Sequence, residues 1–453
     1  MRRTLIPLLI LTLTLLTPIP THAAPQADVT EDSATLDFPN TATFSAAIQS
    51  ASEIVSVTLE YGTEQLTCGE VVAKAFPDFQ PGKTVEVSWT WDMRQSGSLP
   101  PGTTIWWRWR YADSSGAESV SEMKTIAWLD DEHDWQTVSE DNIRIHYYGN
   151  DSAFGQTMLK SGLEGLRINK EQAGMTADAP VNIYVYPTYD DMRDAVLYEP
   201  QWTGGQAYSD FGIIIMGVSG DAAFDKATVI HETTHVLVGR NAFTCIGSIP
   251  TWLNEGLAVY SEGEMDASMK SQFDRAVRDN SLLPIRSLAG NFSEIPDKAL
   301  LSYAQAYSVV NFLIETYGQA KMSELLAALS DAEPIDAALQ KTYSFDTDGL
   351  DSAWRESLGV PPLTVAQATA QPTPTYVPTY IPIAGIPQAE TPTPGAIPTS
   401  SYDPDSAPPA SGGSRSWMAI ALICVCLACL LVIGVIAIIF IIRMSAPKGG
   451  KNG

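Results

Sequence analysis

Short apolar runs that alternate with polar residues dominate the chain from about Ala27 to Trp128. Six segments follow this period of two: SATLDFP, TATFSAAIQ, IVSVTLEYG, TVEVSWTW, TTIWWRWRYAD and SVSEMKTIAW. Gly- and Pro-rich breaks such as FPDFQPGK and SGSLPPGT separate them. Alternation of this kind is typical of half-buried β-strands, and half a dozen strands in about 100 residues predict an all-β sandwich of immunoglobulin or fibronectin type.

The pattern changes near Asn142, where NIRIHYYG and VNIYVYP predict strands on either side of a helix from about Ala153 to Ala173. GGQAYSD and FGIIIMGV predict two further strands. Helical spacing then prevails, in Trp252 to Tyr260 and in almost all of Asp266 to Leu358. We therefore predict an α+β domain with a small mixed sheet, a helical lobe behind it and a cleft between them.

The segment HETTH holds two of the chain's five histidines, His231 and His235. Residues four apart lie on one face of a helix, so both rings could offer a neutral nitrogen to one metal ion. Glu232 is one step round and could face a water on that metal. The helical spacing of AAFDKATVI and a C-terminal cap at Gly239 favour a helix here. The alternative is two histidines on an ordinary helix surface.

A carboxylate in the next helical segment changes this picture. PTWLNEGLAVY carries Glu255, and nineteen residues separate it from His235. A His-His-Glu set of protein ligands leaves a fourth position for water, which is the layout of a catalytic rather than a structural zinc site. We predict Zn²⁺ as the cofactor, with His231, His235 and Glu255 as its ligands.

HExxH followed by WLNEGLA resembles the gluzincin metallopeptidases, which include thermolysin and the aminopeptidase-type enzymes. It most resembles the peptidase MA-like branch found in bacterial surface proteins, over roughly Asn142 to Leu358. The resemblance implies zinc bound by the three ligands above. It also implies that Glu232 is the general base for a zinc-activated water. Gly212 to Val218 is the candidate for an edge strand that pairs with substrate in such enzymes, although a buried strand is the simpler interpretation.

SYAQAYSVVNFLIETYG resembles the helix whose leading tyrosine hydrogen-bonds the oxyanion in aminopeptidase-type relatives. The matching position is Tyr303, with Tyr307 as its rival. Val259 stands where thermolysin-type enzymes have an acidic residue, so the sequence leaves the partner of a ligand histidine unidentified. No stretch resembles GxMEN, so removal of amino-terminal residues is not implied.

Both ends of the chain carry long apolar runs. MRR followed by LIPLLILTLTLL is typical of a secretory signal peptide cleaved after about Ala23. Trp417 to Ile442 holds no charged residue and is long enough to cross a bilayer, with a buried core helix as the alternative. Arg443, Lys448 and Lys451 follow it, so we expect the tail to be cytoplasmic.

Changes in composition between these two apolar runs divide the rest of the chain into domains and a linker. The stretch before the apolar run is rich in Pro, Thr and Ser and is expected to form an extended stalk. The predicted organisation is a signal peptide at 1–23, a β-sandwich at 24–135, a gluzincin-like metallopeptidase domain at 136–360, the stalk at 361–415, a transmembrane helix at 416–443 and a cytoplasmic tail at 444–453.

Charge and cysteine content limit the partners. With 52 acidic and 27 basic residues the net charge is −25, which repels nucleic acid, and none is expected as a partner. Only Cys68 and Cys245 lie in the part predicted to face an oxidising compartment. They fall in different predicted domains, which argues against a disulfide, but their pairing stays open.

The sequence therefore predicts a single-pass membrane protein whose body, outside the cytoplasm, is a zinc metallopeptidase acting on peptide or protein substrates. Two other classes remain: a surface binding protein that keeps the metal, and a stalked structural protein on a peptidase-like scaffold. The intact base and ligands argue against the structural class. The aromatic run Trp106, Trp107, Trp109 and Tyr111 could form a carbohydrate platform, but strand aromatics more often pack a core.

Overall fold

A computed structural model describes residues 28–197, 204–293 and 295–363. Contacts divide the chain into two units, Met1–Ala384 and Gly385–Gly453, and every described residue belongs to the first. The predicted signal peptide, transmembrane helix and cytoplasmic tail, with nearly all of the stalk, lie outside the described residues. Within those ranges, no helix has the length and apolar character needed to span a bilayer.

Antiparallel strands form the N-terminal domain, as the alternating pattern predicts. They are β1 (Asp28–Asp37), β2 (Thr41–Thr63), β3 (Ala73–Ala75), β4 (Gly82–Asp92), β5 (Thr103–Asp113), β6 (Glu118–Val120) and β7 (Lys124–Trp128), with a short helix α1 (Met93–Ser96) after β4. Two predicted strands merge into β2, whose register shifts between Gln49 and Ile54. Its first part pairs with β1 and β4, and its second part pairs with β3 and β5. A β-rich first domain is thus confirmed, and its immunoglobulin or fibronectin type stays a prediction.

The aromatic run on β5 divides between two faces. Trp107, Trp109 and Tyr111 are buried in the core of this domain. The indole N–H groups of Trp107 and Trp109 donate to Asp32 Oδ1 at 2.8 and 3.1 Å. Trp106 points to the opposite face and is only partly buried. Core packing therefore accounts for three of the four aromatics.

A five-stranded sheet opens the second domain. Its elements are β8 (Gln136–Glu140), β9 (Ile143–Tyr147), α2 (Ser152–Ala173), β10 (Val181–Tyr186), α3 (Tyr189–Asp194), β11 (Gly205–Tyr208) and β12 (Ile213–Gly217). The strand order is β11-β12-β10-β9-β8, with β9, β10 and β12 parallel and the two outer strands antiparallel. Because β12 is paired on both sides and buried, the edge-strand interpretation of Gly212 to Val218 is wrong, and the edge strand that contacts α4 is β11.

Helices complete the second domain and confirm its α+β class. They are α4 (Ala222–Asn241), α5 (Thr251–Glu262), α6 (Ala267–Arg278), α7 (Pro296–Tyr317), α8 (Gln319–Ser330), α9 (Ile335–Tyr343) and α10 (Thr347–Ser357). The predicted cap at Gly239 is wrong, because α4 continues to Asn241. A Cβ at Gly239 would lie 2.3 Å from Ser209 Cβ, so the glycine lets α4 approach the turn after β11.

A disulfide joins the two domains. Cys68 and Cys245 are bonded, with their Cα atoms 5.6 Å apart, so the expectation from their separate domains is wrong. The loop after β2 reaches across to the second domain, where Leu66 N also donates to Asp210 O at 2.7 Å. Cys245 lies between α4 and α5. The bridge therefore ties the β domain to the connection between the HETTH helix and the helix of Glu255.

Candidate active site

Helices α4 and α5 bring the three predicted ligands together. His231 Nε2 and His235 Nε2 lie 3.1 Å apart. Glu255 Oε2 lies 3.6 Å from the first and 3.3 Å from the second. All three ligand atoms fall within 4.8 Å of one another, and this is the group among the described residues that could hold a metal ion. The helical spacing of the two histidines and the returning helix place them as the sequence predicts.

The Nδ1 atom of each histidine ring already makes a hydrogen bond to another side chain. His231 Nδ1 donates to Glu262 Oε1 at 2.6 Å, and His235 Nδ1 donates to Asn254 Oδ1 at 3.0 Å. A neutral imidazole carries one N–H, so these bonds leave both Nε2 atoms as lone-pair acceptors. Fixing the tautomer in this way is what outer-shell partners of metal-ligating histidines do.

The arrangement fits a zinc ion on an observation independent of the motif. Glu255 Oε2 is buried and has no hydrogen-bond partner among the residues that the structure describes. An unsatisfied buried carboxylate oxygen beside two lone-pair nitrogens is costly unless a cation is shared among them. Two imidazoles and one carboxylate are a donor set that zinc accepts. His231, His235 and Glu255 therefore form a donor set that fits a zinc ion.

The charges of the site favour a cation as well. Burial would lower the pKa of His231 and His235, but the Glu255 and Glu262 carboxylates outweigh it for His231, and Glu255 chiefly for His235, so both pKa values are raised. Burial would raise the pKa of Glu255, yet the two histidines hold it well below its usual range. A bound metal ion takes the place of the protons that this site attracts.

Glu232 lies beside the ligands with its side chain buried and only 8% exposed. No hydrogen bond from a described residue fixes its carboxylate, and burial raises its pKa. Its Oε1 would be 3.3 Å from a Cβ at Gly205, so the glycine of edge strand β11 leaves room for it. The carboxylate is thus next to both the ligands and the outer strand β11.

The two candidate tyrosines face different surroundings on α7. Burial raises the pKa of Tyr303 well above its usual range, and the Glu255, Glu232 and Glu262 carboxylates raise it further. Tyr307 packs on Tyr260 with ring centroids 5.9 Å apart, and the carboxylates that raise its pKa are Glu264 and Glu315. Tyr303 is therefore the tyrosine whose pKa is raised by the carboxylates of the site.

Close contact between α5 and α7 explains how Tyr303 comes near. A Cβ at Gly256, directly after Glu255, would lie 2.5 Å from the carbonyl oxygen of Ala306. Any larger residue would push the two helices apart and carry Tyr303 away from the ligands. The glycine of WLNEG therefore has a packing reason.

Sequence reasoning missed Glu262 and Asn254. The position where thermolysin-type enzymes have an acidic residue is occupied here by Val259, which is buried at 4% exposure. Glu262 is seven residues beyond Glu255, two helical turns along, so it lies on the same face of α5 as the ligand. That spacing was the available signal. Asn254 directly precedes Glu255 and carries no comparable signal.

Glu262→Gln should weaken zinc binding about 10- to 100-fold, because a neutral amide holds His231 Nδ1–H less strongly than a carboxylate. The measurement is zinc affinity by competition with a chromophoric chelator. Glu264→Gln is the matched control, since it removes the same charge from an exposed side chain two residues away. Equal losses in both variants would mean that only the general field of the site matters.

Comparisons with known proteins relate the second domain to one protein superfamily. A family model described as the Peptidase MA superfamily matches residues 162–360, a stretch that contains both ligand helices. The second domain is peptidase-like. No match was found among curated proteins.

Solved structures with related shapes are distant. The M1 zinc metallopeptidase from Deinococcus radiodurans is 13% identical, with a TM-score of 0.35 over 75% of this chain and 95% of that one. Aminopeptidase A from Legionella pneumophila is 12% identical, with a TM-score of 0.28 over 74% of this chain and 49% of that one. Inactive OgpA from Akkermansia muciniphila, bound to an O-glycopeptide, is 11% identical with a TM-score of 0.19, over 24% of this chain and 30% of that one. This chain thus spans less than a third of that last protein.

Proposed function

We propose that this protein is a zinc metallopeptidase that hydrolyses peptide bonds. The observation that carries the proposal is the convergence of His231, His235 and Glu255 around a buried, unsatisfied carboxylate oxygen. Beside it stands Glu232, a buried carboxylate whose oxygens no described residue engages. A purely structural zinc site uses four protein ligands and has no need of an adjacent base.

Each residue has a distinct task in the proposed reaction. Zinc, when bound, supplies a Lewis acid that polarises a carbonyl and lowers the pKa of water to about 7. Glu232 takes the proton of the attacking water and passes it to the leaving amine. The Tyr303 hydroxyl donates to the oxygen that becomes negative as the carbonyl is attacked. Gly205, on the outer strand β11, lies beside Glu232, so an extended substrate would run close to this strand.

Chelation tests the proposal directly. The purified protein should cleave members of a mixed-peptide library, followed by mass spectrometry. Adding 1,10-phenanthroline should stop cleavage, and zinc in excess of the chelator should restore it. Zinc bound without any cleavage would favour the surface binding protein, and absence of both zinc and cleavage would favour the structural one.

We also propose that the body lies outside the cytoplasm, anchored by the predicted span at Trp417 to Ile442. The Cys68–Cys245 disulfide supports this location, since such bonds persist in oxidising compartments. A membrane-impermeant amine reagent should label the peptidase domain on intact cells. Labelling that requires lysis would contradict the location without bearing on catalysis.

Tyr303→Phe should lower the rate of cleavage about 10²- to 10³-fold, the usual loss for one oxyanion donor. The ring is kept, so KM should change far less than kcat. Tyr307→Phe is the control on the same helix and should be nearly silent. A defect in the Tyr307 variant alone would transfer the role to that residue, and defects in neither would leave the oxyanion to zinc or to another group.

A further inference from the structure

A cavity of about 560 Å³ opens on the N-terminal domain, in addition to the peptidase site. One wall comes from the ends of β2, β4 and β5, and the other comes from the loop at residues 64–72. Its lining includes the aromatic side chains Tyr61, Trp91 and Trp106 and the polar side chains Arg108, Gln65 and Glu70. Tyr61 lies opposite the buried Trp107 and packs on Trp91, so these two rings lie on the core side of the sheet, whereas Trp106 and Arg108 lie on its other side.

Trp106, the member of the aromatic run that is not in the core, forms part of this wall. Its indole occupies the space over Gly62, where a Cβ would lie 2.7 Å from Cζ2. Its N–H has no acceptor among the described residues. Trp91 nearby is held in place because its Nε1 donates to Ser96 Oγ at 2.8 Å. The cavity therefore presents a fixed indole and a second one with a free donor.

Arg108 is held so that part of its guanidinium stays available. Its Nε donates to Glu60 Oε2 at 2.7 Å, and the Glu60 side chain is only 3% exposed. Arg110 and Lys74 share the same carboxylate, which fixes Glu60 from three sides. The terminal nitrogens of Arg108 have no partner in the described ranges. A planar donor is therefore pre-oriented on the same face of β5 as Trp106.

The loop wall is fixed as well. Cys68 is bonded to Cys245, and Leu66 N donates to Asp210 O at 2.7 Å, so the loop is tied to the second domain. Gln65 and Glu70 lie on either side of these ties and are exposed, with no ion pair to another described residue. A pre-formed wall lowers the entropy that a ligand must lose on binding.

We propose that this cavity is a saccharide-binding site. A sugar presents an apolar C–H face that suits the Trp106 indole, and hydroxyl groups that both donate and accept. Arg108 and the Trp106 N–H supply donors, Glu70 supplies an acceptor, and Gln65 supplies both. A lipid chain would leave these polar groups unpaired at a cost, and a purely cationic ligand would meet the Arg108 charge.

The test is isothermal titration calorimetry of the full chain with four probes: chitopentaose, cellopentaose, xylopentaose and sialyllactose. At least one should bind, and Trp106→Ala should weaken that binding about tenfold. Glu70→Gln changes an exposed side chain that folding does not need, and it should weaken binding severalfold. Phe76→Ala is the control, because this aromatic is 74% exposed on the same domain but does not line the cavity.

Glu232→Gln should bind the sugar as the wild type does, so that this site is tested separately from peptide hydrolysis. Binding that is equal in wild type, Trp106→Ala and Glu70→Gln would overturn the proposal. So would the absence of heat with all four probes.

Discussion

Glu232→Gln should leave zinc bound and remove peptide hydrolysis. Glutamine keeps the shape of glutamate but cannot accept a proton from water, so the loss should be about 10²- to 10⁴-fold in kcat. Zinc should stay because Glu232 is not among the three converging ligand atoms. The amide also fits the existing space beside Gly205, so the fold should not change.

Zinc content and kcat, measured on one preparation, check this prediction. Excess zinc should rescue Glu262→Gln, whose defect is affinity, and should fail to rescue Glu232→Gln, whose defect is chemistry. Glu164→Gln is a neutral control, since it only breaks a surface pair with Lys226 at 2.7 Å. Hydrolysis at near the wild-type rate in Glu232→Gln would demote the zinc site to a structural one.

The local pattern of apolar and polar residues predicted most helices and strands, because each of these elements depends on residues that are neighbours in sequence. β5 alternates buried and partly exposed positions over its whole length, as a strand between a core and another face must. HETTH could be placed on a helix because the apolar residues of AAFDKATVI before it follow a helical spacing. The pairing of His231 with His235 followed from the same period, since the spacing of four within α4 is itself local, whereas Glu255 lies on the next helix.

What the sequence could not reveal depends on contacts between distant segments. The bond between Cys68 and Cys245 spans 177 residues and needs a loop to cross between domains. Gly239 reads as a helix cap locally, yet its reason is a close approach to Ser209. The outer strand that contacts α4 could not be identified as β11 without the strand order. Glu262 was overlooked because a family spacing pointed to Val259 instead.

His235→Ala should abolish zinc binding. Wild type should hold about one zinc per chain, because three ligands converge on one point. Alanine leaves two ligands and removes the acceptor that Asn254 orients. At a free zinc concentration of about 1,000 times Kd, binding stabilises a folded protein by about 4 kcal/mol. For a domain of this size that raises Tm by on the order of 10 °C, and the variant should show no such rise.

The comparison that decides the matter is with wild type stripped of metal. His235→Ala also loses the Nδ1 bond to Asn254 and the attraction to Glu255, so the variant should melt below stripped wild type. Of these two metal-free proteins, only stripped wild type should rise in Tm when zinc is added. His133→Ala is the control, because this exposed histidine pairs with Asp130 at 2.8 Å, outside the site. Its zinc content should equal that of wild type. One zinc per chain in both variants would show that His235 is not a ligand, and the proposed peptidase activity would lose its basis.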